Sequence, residues 1–288
     1  MRTPASSLID MEIGAVLDHL HLASPQPALT AAFYTAHFGM ALTTRDDVWM
    51  LAGPTRRLAV SAGAVNRLKY AAWRFADRAG LAAYRRRVAP AWQMAPPHAG
   101  LFDRDAFAVA DPDGNLTVFS AGGAGGASAA AADAALPPAM TQHFALRTPD
   151  PARLLPFYRD QLGFTLSDRV EDGDGALRAC FLRTDHMHHS LALFGAPVSR
   201  FDHQSFETPT WTDLRDWADH MAGLKTPMAW GVGRHGPGND VFFMVADPDG
   251  NLAEISSEIE VCQPQRPVGL WPHEERTLNL WGRAIMRS

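Results

Sequence analysis

The amino-acid sequence predicts an α+β protein with mixed sheets, in which a strand–helix–strands unit is repeated four times. Two observations lead to this prediction. The octapeptide Val-Ala-Asp-Pro-Asp-Gly-Asn-Leu occurs at 109–116 and again at 245–252, which indicates an internal duplication. Short apolar runs of strand periodicity also alternate with helical patterns. A length of 288 residues fits about two domains.

Each half begins with a strand followed by a helix. Residues 17–23 and 141–146 alternate in the way that is typical of strands. From Pro151 to Gly163 the apolar residues recur at helical spacing, and Gly163 is a helix-stop signal. In the second half we further predict strands at 177–182, 190–194 and 202–207, and a helix at 212–221. Strands 241–246 and 252–256 follow, joined by an Asp-Pro-Asp-Gly turn.

Composition shifts divide the chain into five segments. We predict an N-terminal extension at 1–15, a first domain at 16–120, a linker at 121–138, a second domain at 139–260 and a tail at 261–288. The linker contains Gly-Gly-Ala-Gly-Gly and an alanine run that is also compatible with a short helix. The tail is rich in tryptophan and leucine, so it either covers a pocket or docks by burying these side chains.

Charge and cysteine usage exclude several classes of protein. A net charge of −5 without a basic stripe argues against a nucleic-acid partner. No apolar run reaches the ~20 residues that span a membrane, and residues 1–15 do not resemble a secretory signal. Cys180 and Cys262 are the only cysteines, which excludes a disulfide framework. We therefore expect a cytoplasmic protein without a membrane or nucleic-acid partner.

Three residues of the second half form a candidate metal site. His143 and His203 lie at equivalent points of successive units, and Glu254 lies on the last strand of the second unit. Two imidazoles and one carboxylate make the facial triad that is typical of non-haem Fe(II) oxygenases. A single histidine on a strand is more often a satisfied polar residue than a ligand.

The first half strengthens this interpretation because it lacks the same set. His19 aligns with His143, whereas Tyr70 and Val118 occupy the other two positions. Neither of these two side chains is a usual ligand for the metal. A degenerate set beside an intact one indicates that the intact set is used.

More histidines surround the candidate triad. His188 and His189 precede strand 190–194, and His235 lies in a glycine-rich loop at 233–240. A histidine near a metal can act as an acid or base at neutral pH. For His188, as for His186, the residues alone favour a solvated loop. The glycine-rich loop lacks Gly-Lys-Ser/Thr and opens no helix, so we exclude nucleotide binding.

With these motifs the chain resembles the two-domain extradiol ring-cleavage dioxygenases of the vicinal oxygen chelate superfamily. The resemblance covers residues 15 to 260. The matching strings are Gln-His-Phe at 142–144, Met-His-His-Ser-Leu-Ala at 187–192, Asp-His-Gln-Ser-Phe at 202–206, Gly-Arg-His-Gly-Pro-Gly-Asn at 233–239 and Asp-Pro-Asp-Gly-Asn at 247–251, followed by Glu254.

The resemblance implies four βαβββ modules paired into two domains, each a curved mixed sheet around a cavity. It implies that the first domain lacks a metal site and that relatives assemble as homo-oligomers. It also implies that the protein catalyses the reaction of a small vicinal-diol aromatic with O2, which forms a ring-opened semialdehyde. The resemblance further implies that His143, His203 and Glu254 bind Fe(II), or alternatively Mn(II). His189 would act as the acid/base, and His235 would donate or accept a hydrogen bond with the substrate. The remaining residues implied to bind the substrate are His188, Asp240 and Met244.

One position departs from the family pattern. The family usually has a tyrosine four residues before the proline of the acidic turn, where this chain has Met244. Methionine has no O–H donor, and losing one aimed hydrogen bond costs on the order of 1–3 kcal/mol. We expect weaker catalysis, a different substrate, or another group in the same role.

Two alternatives remain open. One is a non-redox enzyme of the same superfamily, an isomerase of the glyoxalase type or a lyase, which typically adds a second carboxylate ligand around Zn or Ni. Glu207 and Glu258 are the nearby carboxylates in the sequence, although the duplication places neither at a ligand position. The other is a metal-free binding or resistance protein. Measurements of metal content, metal identity and O2 consumption distinguish these two alternatives from the dioxygenase and from each other.

Overall fold

Two mixed sheets of eight and nine strands make up the body of the protein in a computed structural model. The structure describes residues 13–88, 93–122 and 136–287. Most of the predicted N-terminal extension and of the predicted linker therefore lies outside the described residues. The mixed α+β architecture is confirmed. The first sheet ends at Ser120 and the second begins at Met140, and the division into domains at 16–120 and 139–260 stays a prediction.

The first sheet consists of two strand–helix–three-strand modules whose first strands, β1 and β5, pair antiparallel at its centre. Its spatial order is β2-β3-β4-β1-β5-β8-β7-β6. The strands are β1 (Ala15–Ser24), β2 (Ala41–Arg45), β3 (Val48–Ala52), β4 (Arg57–Ala62), β5 (Arg67–Phe75), β6 (Gln93–Met94), β7 (Phe107–Ala110) and β8 (Leu116–Ser120), and the helices are α1 (Pro27–Phe38) and α2 (Arg78–Arg87) with a 3₁₀ turn at Ala99–Leu101.

The second sheet repeats this plan and adds one edge strand from the tail. Its order is β14-β15-β16-β13-β9-β12-β11-β10-β17. The strands are β9 (Met140–Thr148), β10 (Thr165–Glu171), β11 (Leu177–Arg183), β12 (Leu191–Gly195), β13 (Arg200–Thr208), β14 (Met228–Arg234), β15 (Val241–Ala246), β16 (Leu252–Ser257) and β17 (Gly269–Pro272). The helices are α3 (Pro151–Pro156), α4 (Trp211–Gly223) and α5 (Glu275–Leu278).

The structure corrects the predicted helix between Pro151 and Gly163. Helix α3 ends at Pro156 and continues as a π-helical turn over Phe157–Gln161. A proline inside a helix lacks the N–H of the regular ladder, which explains the change of winding there. Gly163 has a φ of +75°, the left-handed conformation expected of a glycine beyond a helix end.

The repeated octapeptide serves both as a turn and as a docking point for the other half of the chain. In the first half, Tyr34 of α1 donates a hydrogen bond of 3.2 Å to Asp247 of the second copy. Tyr158 donates one of 2.9 Å to Asp111 of the first copy. Trp73 of β5 packs against Phe144 of β9, with ring centroids 6.2 Å apart. The two halves are thus joined reciprocally around one apolar core.

Two further sequence expectations concern the chain as a whole. Both cysteines, Cys180 and Cys262, are free and buried. Among the described residues, every helix is too short or too polar to cross a lipid bilayer.

Candidate metal centre

The register of three neighbouring strands brings the predicted ligands together. Strand β13 lies between β9 and β16, and its Ser205 stands opposite both His143 and Glu254. His203 lies two residues before Ser205, and alternate residues of a strand face the same side. The Ser205 hydroxyl donates a hydrogen bond of 3.0 Å to Glu254 Oε1, which fixes the carboxylate.

The three side chains meet at distances that suit a metal ion. The two imidazole Nε2 atoms of His143 and His203 are 3.2 Å apart. Glu254 Oε1 is 3.7 Å from His143 Nε2, and Glu254 Oε2 is 3.9 Å from His203 Nε2. All three side chains are buried.

The other ring nitrogens of both histidines are already engaged. The Nδ1–H of His203 donates to Asp202 Oδ1 at 2.7 Å, and that of His143 donates to Gln142 Oε1. With a ring proton on Nδ1 of each histidine, the two Nε2 atoms face each other as potential metal ligands.

The charge balance of the site leads to the same conclusion. Burial lowers the pKa of His143 well below its usual value, and neighbouring His203 lowers it further, so this imidazole is neutral and able to ligate. Burial also raises the pKa of Glu254, although His203 opposes the shift. Within the described residues Glu254 Oε2 has no hydrogen-bond partner. A buried unpaired carboxylate oxygen is costly, and a divalent cation would satisfy it. The residues present therefore fit a metal of the Fe(II) or Mn(II) type.

Residues behind the ligands hold them in place. The Gln142 amide donates to the His189 carbonyl at 2.5 Å, which turns its oxygen toward His143. Asp202 accepts hydrogen bonds from Arg147 as well as from His203. Burial acts to raise the pKa of Asp202, but the Arg287 charge and the His203 hydrogen bond hold it well below its usual range. Such partners behind ligands set tautomer and orientation.

A cavity opens next to the triad. The residues that line it are mainly apolar and aromatic and comprise His143, Phe181, His189, Ala192, Phe194, His203, Trp230, His235, Pro237, Leu278 and Arg287. Of the predicted catalytic residues, both His189 and His235 are among them.

His189 stands beside the triad with its ring buried. Its ring centroid is 4.3 Å from that of His143. Burial lowers the pKa of His189 well below its usual value, and His143 adds to the effect, so the ring is neutral.

His188 does not lie in a solvated loop, so that expectation from the residues alone was wrong. Its side chain is fully buried, between Asp168 Oδ2 at 3.1 Å and His189 Nδ1 at 3.0 Å. It lies behind His189 and outside the cavity lining, rather than in contact with the space a substrate would occupy.

His235 faces the triad from the glycine-rich loop. Its Nδ1–H donates to the Leu278 carbonyl at 2.5 Å, and its ring stacks on Phe242 at 3.8 Å between centroids. This leaves Nε2, 3.9 Å from Glu254 Oε2, as the free nitrogen. Burial lowers the pKa of His235, so the free nitrogen is an acceptor.

Asp240 and Met244, predicted as substrate-binding residues, lie outside the cavity lining. Asp240 is fully buried and neither carboxylate oxygen has a hydrogen-bond partner among the described residues. Burial raises the pKa of Asp240 to about 8, although His235 opposes the shift. Met244 stands opposite Glu254 in the β15–β16 pairing and belongs to the apolar cluster that contains Trp230.

The tail covers the site, one of its two predicted roles, but it does so through Arg287, which the sequence did not single out. Arg287 reaches back into the cavity lining and lies over Phe194 and Trp230, with its guanidinium carbon 4.8 and 5.0 Å from the ring centroids. It also donates to both oxygens of Asp202, at 3.0 and 3.2 Å. Leu278 closes the same side. The tail therefore covers the candidate metal centre. The sequence around Arg287 does not predict this contact, because its partner Asp202 lies 85 residues earlier in the chain.

The equivalent space in the first half is filled. Tyr70 Oη lies 3.2 Å from His19 Nε2, where the second half has the gap between two ligand nitrogens. Val118 packs with Tyr70, Ala72 and Ala108 in an apolar cluster. Among the described residues, groups of three side chains able to hold a metal occur in the second half alone.

Comparison with known proteins agrees with this geometry. Residues 141–255 match the family model of the Glyoxalase/Bleomycin resistance protein/Dioxygenase superfamily. That span contains both histidines and the carboxylate of the triad. The match is confined to residues 141–255, and this span is similar to domains of the superfamily.

Two characterised relatives carry dioxygenase names. Metapyrocatechase 2 of Cupriavidus necator is 34% identical over 150 residues, which are 50% of this chain and 45% of that protein. Biphenyl-2,3-diol 1,2-dioxygenase of Paraburkholderia xenovorans is 29% identical over 254 residues, 81% of this chain and 84% of that protein. The chain thus spans less than half of the first relative and most of the second.

Solved structures share the fold over nearly the whole chain. The Mn(II)-bound glyoxalase from Novosphingobium aromaticivorans superposes with a TM-score of 0.76 at 22% identity, covering 95% of this chain and 93% of that one. Homoprotocatechuate 2,3-dioxygenase from Brevibacterium fuscum, in complex with 3,4-dihydroxyphenylacetate, gives a TM-score of 0.77 at 22% identity and covers 94% and 90%.

Proposed function

We propose that this protein is a metal-dependent extradiol dioxygenase that opens the ring of a catechol-like aromatic with O2 and yields a ring-opened semialdehyde. One observation carries the proposal. The Nε2 atoms of His143 and His203 lie 3.2 Å apart beside the buried Glu254 carboxylate. The dioxygenase names of the two relatives support it.

The metal would be held by Nε2 of His143, Nε2 of His203 and the Glu254 carboxylate, as Fe(II) or alternatively Mn(II). Relatives include an iron-dependent extradiol dioxygenase and a manganese-dependent 2,3-dihydroxybiphenyl 1,2-dioxygenase. A bound metal would supply a Lewis acid and a template for the diol and O2.

The chain's own residues then handle the proton and the ring. Neutral His189, beside His143, accepts a proton from a diol hydroxyl as the substrate binds and returns it during ring opening. His235 accepts a hydrogen bond at Nε2 from the second hydroxyl. Phe181, Phe194 and Trp230 form the apolar walls that favour an aromatic ring and exclude water. Both atoms of O2 enter the product, so no external reductant is needed.

The experiment is oxygen uptake by protein that has been reconstituted anaerobically with Fe(II), measured against a panel of catechols. We expect uptake with a coloured product for at least one diol, and its loss in a His203→Ala variant. Bound iron without uptake for any diol would overturn the dioxygenase assignment while leaving the metal centre in place.

One observation favours a second candidate, a non-redox isomerase or lyase of the same superfamily. His235, Asp240 and Glu254 offer ligand atoms that all lie within 4.8 Å of one another. Asp240 is thus a second buried carboxylate next to the triad, whereas the sequence offered only Glu207 and Glu258 as nearby carboxylates and placed neither at a ligand position. Turnover of a substrate without O2, with Zn or Ni as the bound metal, would identify this candidate. A metal-free binding or resistance protein would retain no metal.

We further propose a cytoplasmic homo-oligomer without a nucleic-acid or membrane partner. The two free cysteines and the net charge of −5 support the location and the absence of a nucleic-acid partner. Sedimentation velocity of the purified chain measures the oligomeric state, and a monomer at micromolar concentration would contradict it.

A further inference from the structure

Three buried side chains stand in line behind the cavity. Asp168 Oδ2 is 3.1 Å from His188 Nε2, and His188 Nδ1 is 3.0 Å from His189 Nδ1. All three are at most 3% exposed. His189 alone lines the cavity, so the other two can act only through it.

Asp168 is an ionised carboxylate that only accepts hydrogen bonds. It accepts from Trp271 Nε1 at 2.8 Å, from Arg266 at 2.8 Å and from the Gly269 N–H at 3.1 Å. Burial acts to raise the pKa of Asp168, but the hydrogen bonds from His188 and Arg266 outweigh it and lower the pKa to about 2. These donors fix the carboxylate in front of His188.

The position of each ring proton follows from this arrangement. Asp168 Oδ2 lies 3.1 Å from His188 Nε2, and an ionised carboxylate can only accept, so this contact places a proton on Nε2. The Nδ1 atoms of His188 and His189 are 3.0 Å apart, so one of the two nitrogens donates a proton and the other accepts it. With the ring proton of His188 on Nε2, its Nδ1 is the acceptor and His189 donates from Nδ1.

The packing around these rings keeps the arrangement closed to water. Gly238 covers both rings from the glycine-rich loop. A Cβ at this position would lie 3.1 Å from His188 Nδ1 and 3.3 Å from His189 Cε1. The φ of Gly238 is +82°, a conformation that favours glycine. A larger residue there would push the two imidazoles apart.

We propose that Asp168 and His188 are positioning residues that hold His189 in the tautomer with its proton on Nδ1 and a bare Nε2 facing the cavity. The chemical consequence rests on the proposed function: Nε2 is the atom that accepts the diol proton. Without this arrangement a neutral His189 divides between two tautomers, and only one of them is a base toward the cavity. The role of His188 is therefore to orient His189 rather than to bind substrate.

A matched pair of variants separates positioning from packing. In His188→Asn the amide oxygen can occupy the place of Nδ1 and still accept from His189. In His188→Gln the amide lies at the place of Nε2, so it can contact Asp168 and leaves His189 Nδ1 without an acceptor. His186→Leu is the control, because His186 is an exposed histidine two residues away.

The first readout is the His189 tautomer itself, which does not depend on turnover. Long-range ¹H–¹⁵N correlation spectra of the ¹⁵N-histidine-labelled full chain, loaded with diamagnetic Zn(II), report which ring nitrogen carries the proton. We expect Nδ1–H for His189 in the wild type, in His186→Leu and in His188→Asn, and a mixture in His188→Gln. An Nε2–H tautomer in the wild type would overturn the inference.

The second readout is steady-state kinetics with the Fe(II)-loaded protein. In a serine protease, a substitution that holds the catalytic histidine in the wrong tautomer lowers kcat by about 10⁴-fold. Because only the Nδ1–H tautomer is a base toward the cavity, we expect kcat of His188→Gln to fall in proportion to the Nδ1–H fraction seen in the spectra, about twofold for an even mixture, with KM and metal content unchanged. His188→Asn should recover most of that loss.

The two proposals fail in different ways. If the wild type shows the Nδ1–H tautomer but consumes O2 with no diol, the dioxygenase assignment fails and the positioning stands. If the wild type consumes O2 and both His188 variants keep full kcat, the positioning fails.

Discussion

The contact between Arg287 and Asp202 joins the end of the chain to a metal ligand, so its removal has a calculable effect. Arg287 donates to both oxygens of Asp202, and Asp202 in turn accepts from the Nδ1–H of His203. Replacing Arg287 by Ala removes two charge-assisted hydrogen bonds and two contacts with aromatic rings.

The magnitude follows from burial. Breaking a buried ion pair costs about 3–5 kcal/mol when one charge is left alone. Asp202 keeps its contact with Arg147, so we take the lower end, about 3 kcal/mol. Because 1.36 kcal/mol corresponds to a factor of ten, a loss of about 3 kcal/mol lowers the ratio of molecules with the tail docked over the metal centre to molecules with the tail undocked by about 150-fold. Looser support of His203 weakens metal binding by about 10- to 100-fold.

The assay is metal affinity of the full chain by chelator competition, with limited proteolysis of the tail in parallel. Arg283→Ala is the matched control, because Arg283 is exposed and contributes only its backbone carbonyl to Trp230 and Asn279. Equal metal affinity in the Arg287→Ala and Arg283→Ala variants would refute the role of the tail.

Three other predictions follow from single contacts. Comparison of Met244→Tyr with Met244→Phe isolates the effect of the missing hydroxyl, because both variants place an aromatic ring at the same buried position. We expect kcat/KM to be about tenfold higher for Met244→Tyr than for Met244→Phe. Equal values would mean that the hydroxyl does not reach the substrate. Tyr158→Phe removes the hydrogen bond to Asp111, whereas Tyr34→Phe removes two hydrogen bonds between the halves, one donated to Asp247 and one accepted from Gln204. We expect the free energy of unfolding in urea to fall by about 1–2 kcal/mol for Tyr158→Phe and by about 2–3 kcal/mol for Tyr34→Phe; an unchanged midpoint in either variant would exclude that docking contact. Asp168 has a pKa lowered from 3.8 to about 2, so its contribution to stability is present above pH 4 and lost as the pH falls from 4 to 2; Asp168→Asn should therefore be less stable than the wild type at pH 7 and equal to it near pH 2, and a constant difference would contradict the assigned pKa.

The duplication explains why so much of the candidate metal centre could be predicted. Aligned halves fix which strand positions correspond, and Ser205 stands opposite both His143 and Glu254 as Ala72 stands opposite His19 and Val118. A shift of strand register by one residue moves every side chain of that strand to the opposite face of the sheet. The alignment of the two halves was therefore enough to place the three ligands on one face of one sheet.

Contacts that depend on distant parts of the chain were beyond sequence reasoning. His188 is buried against Asp168 of β10, and the tail in turn places Trp271 on Asp168. Strand β17 and the return of Arg287 to Asp202 have no local pattern either. In each case the partners are far apart in the sequence and carry ordinary polar residues.

The most direct test of the central claim is the metal content of a matched pair of variants. His143→Gln removes a ligand, whereas His19→Gln changes the aligned position in the first half, where Tyr70 fills the space. We predict one Fe or Mn per chain in the wild type and in His19→Gln, and none in His143→Gln. A metal retained in His143→Gln, or lost in His19→Gln alone, would show that the triad of the second half is not the metal centre.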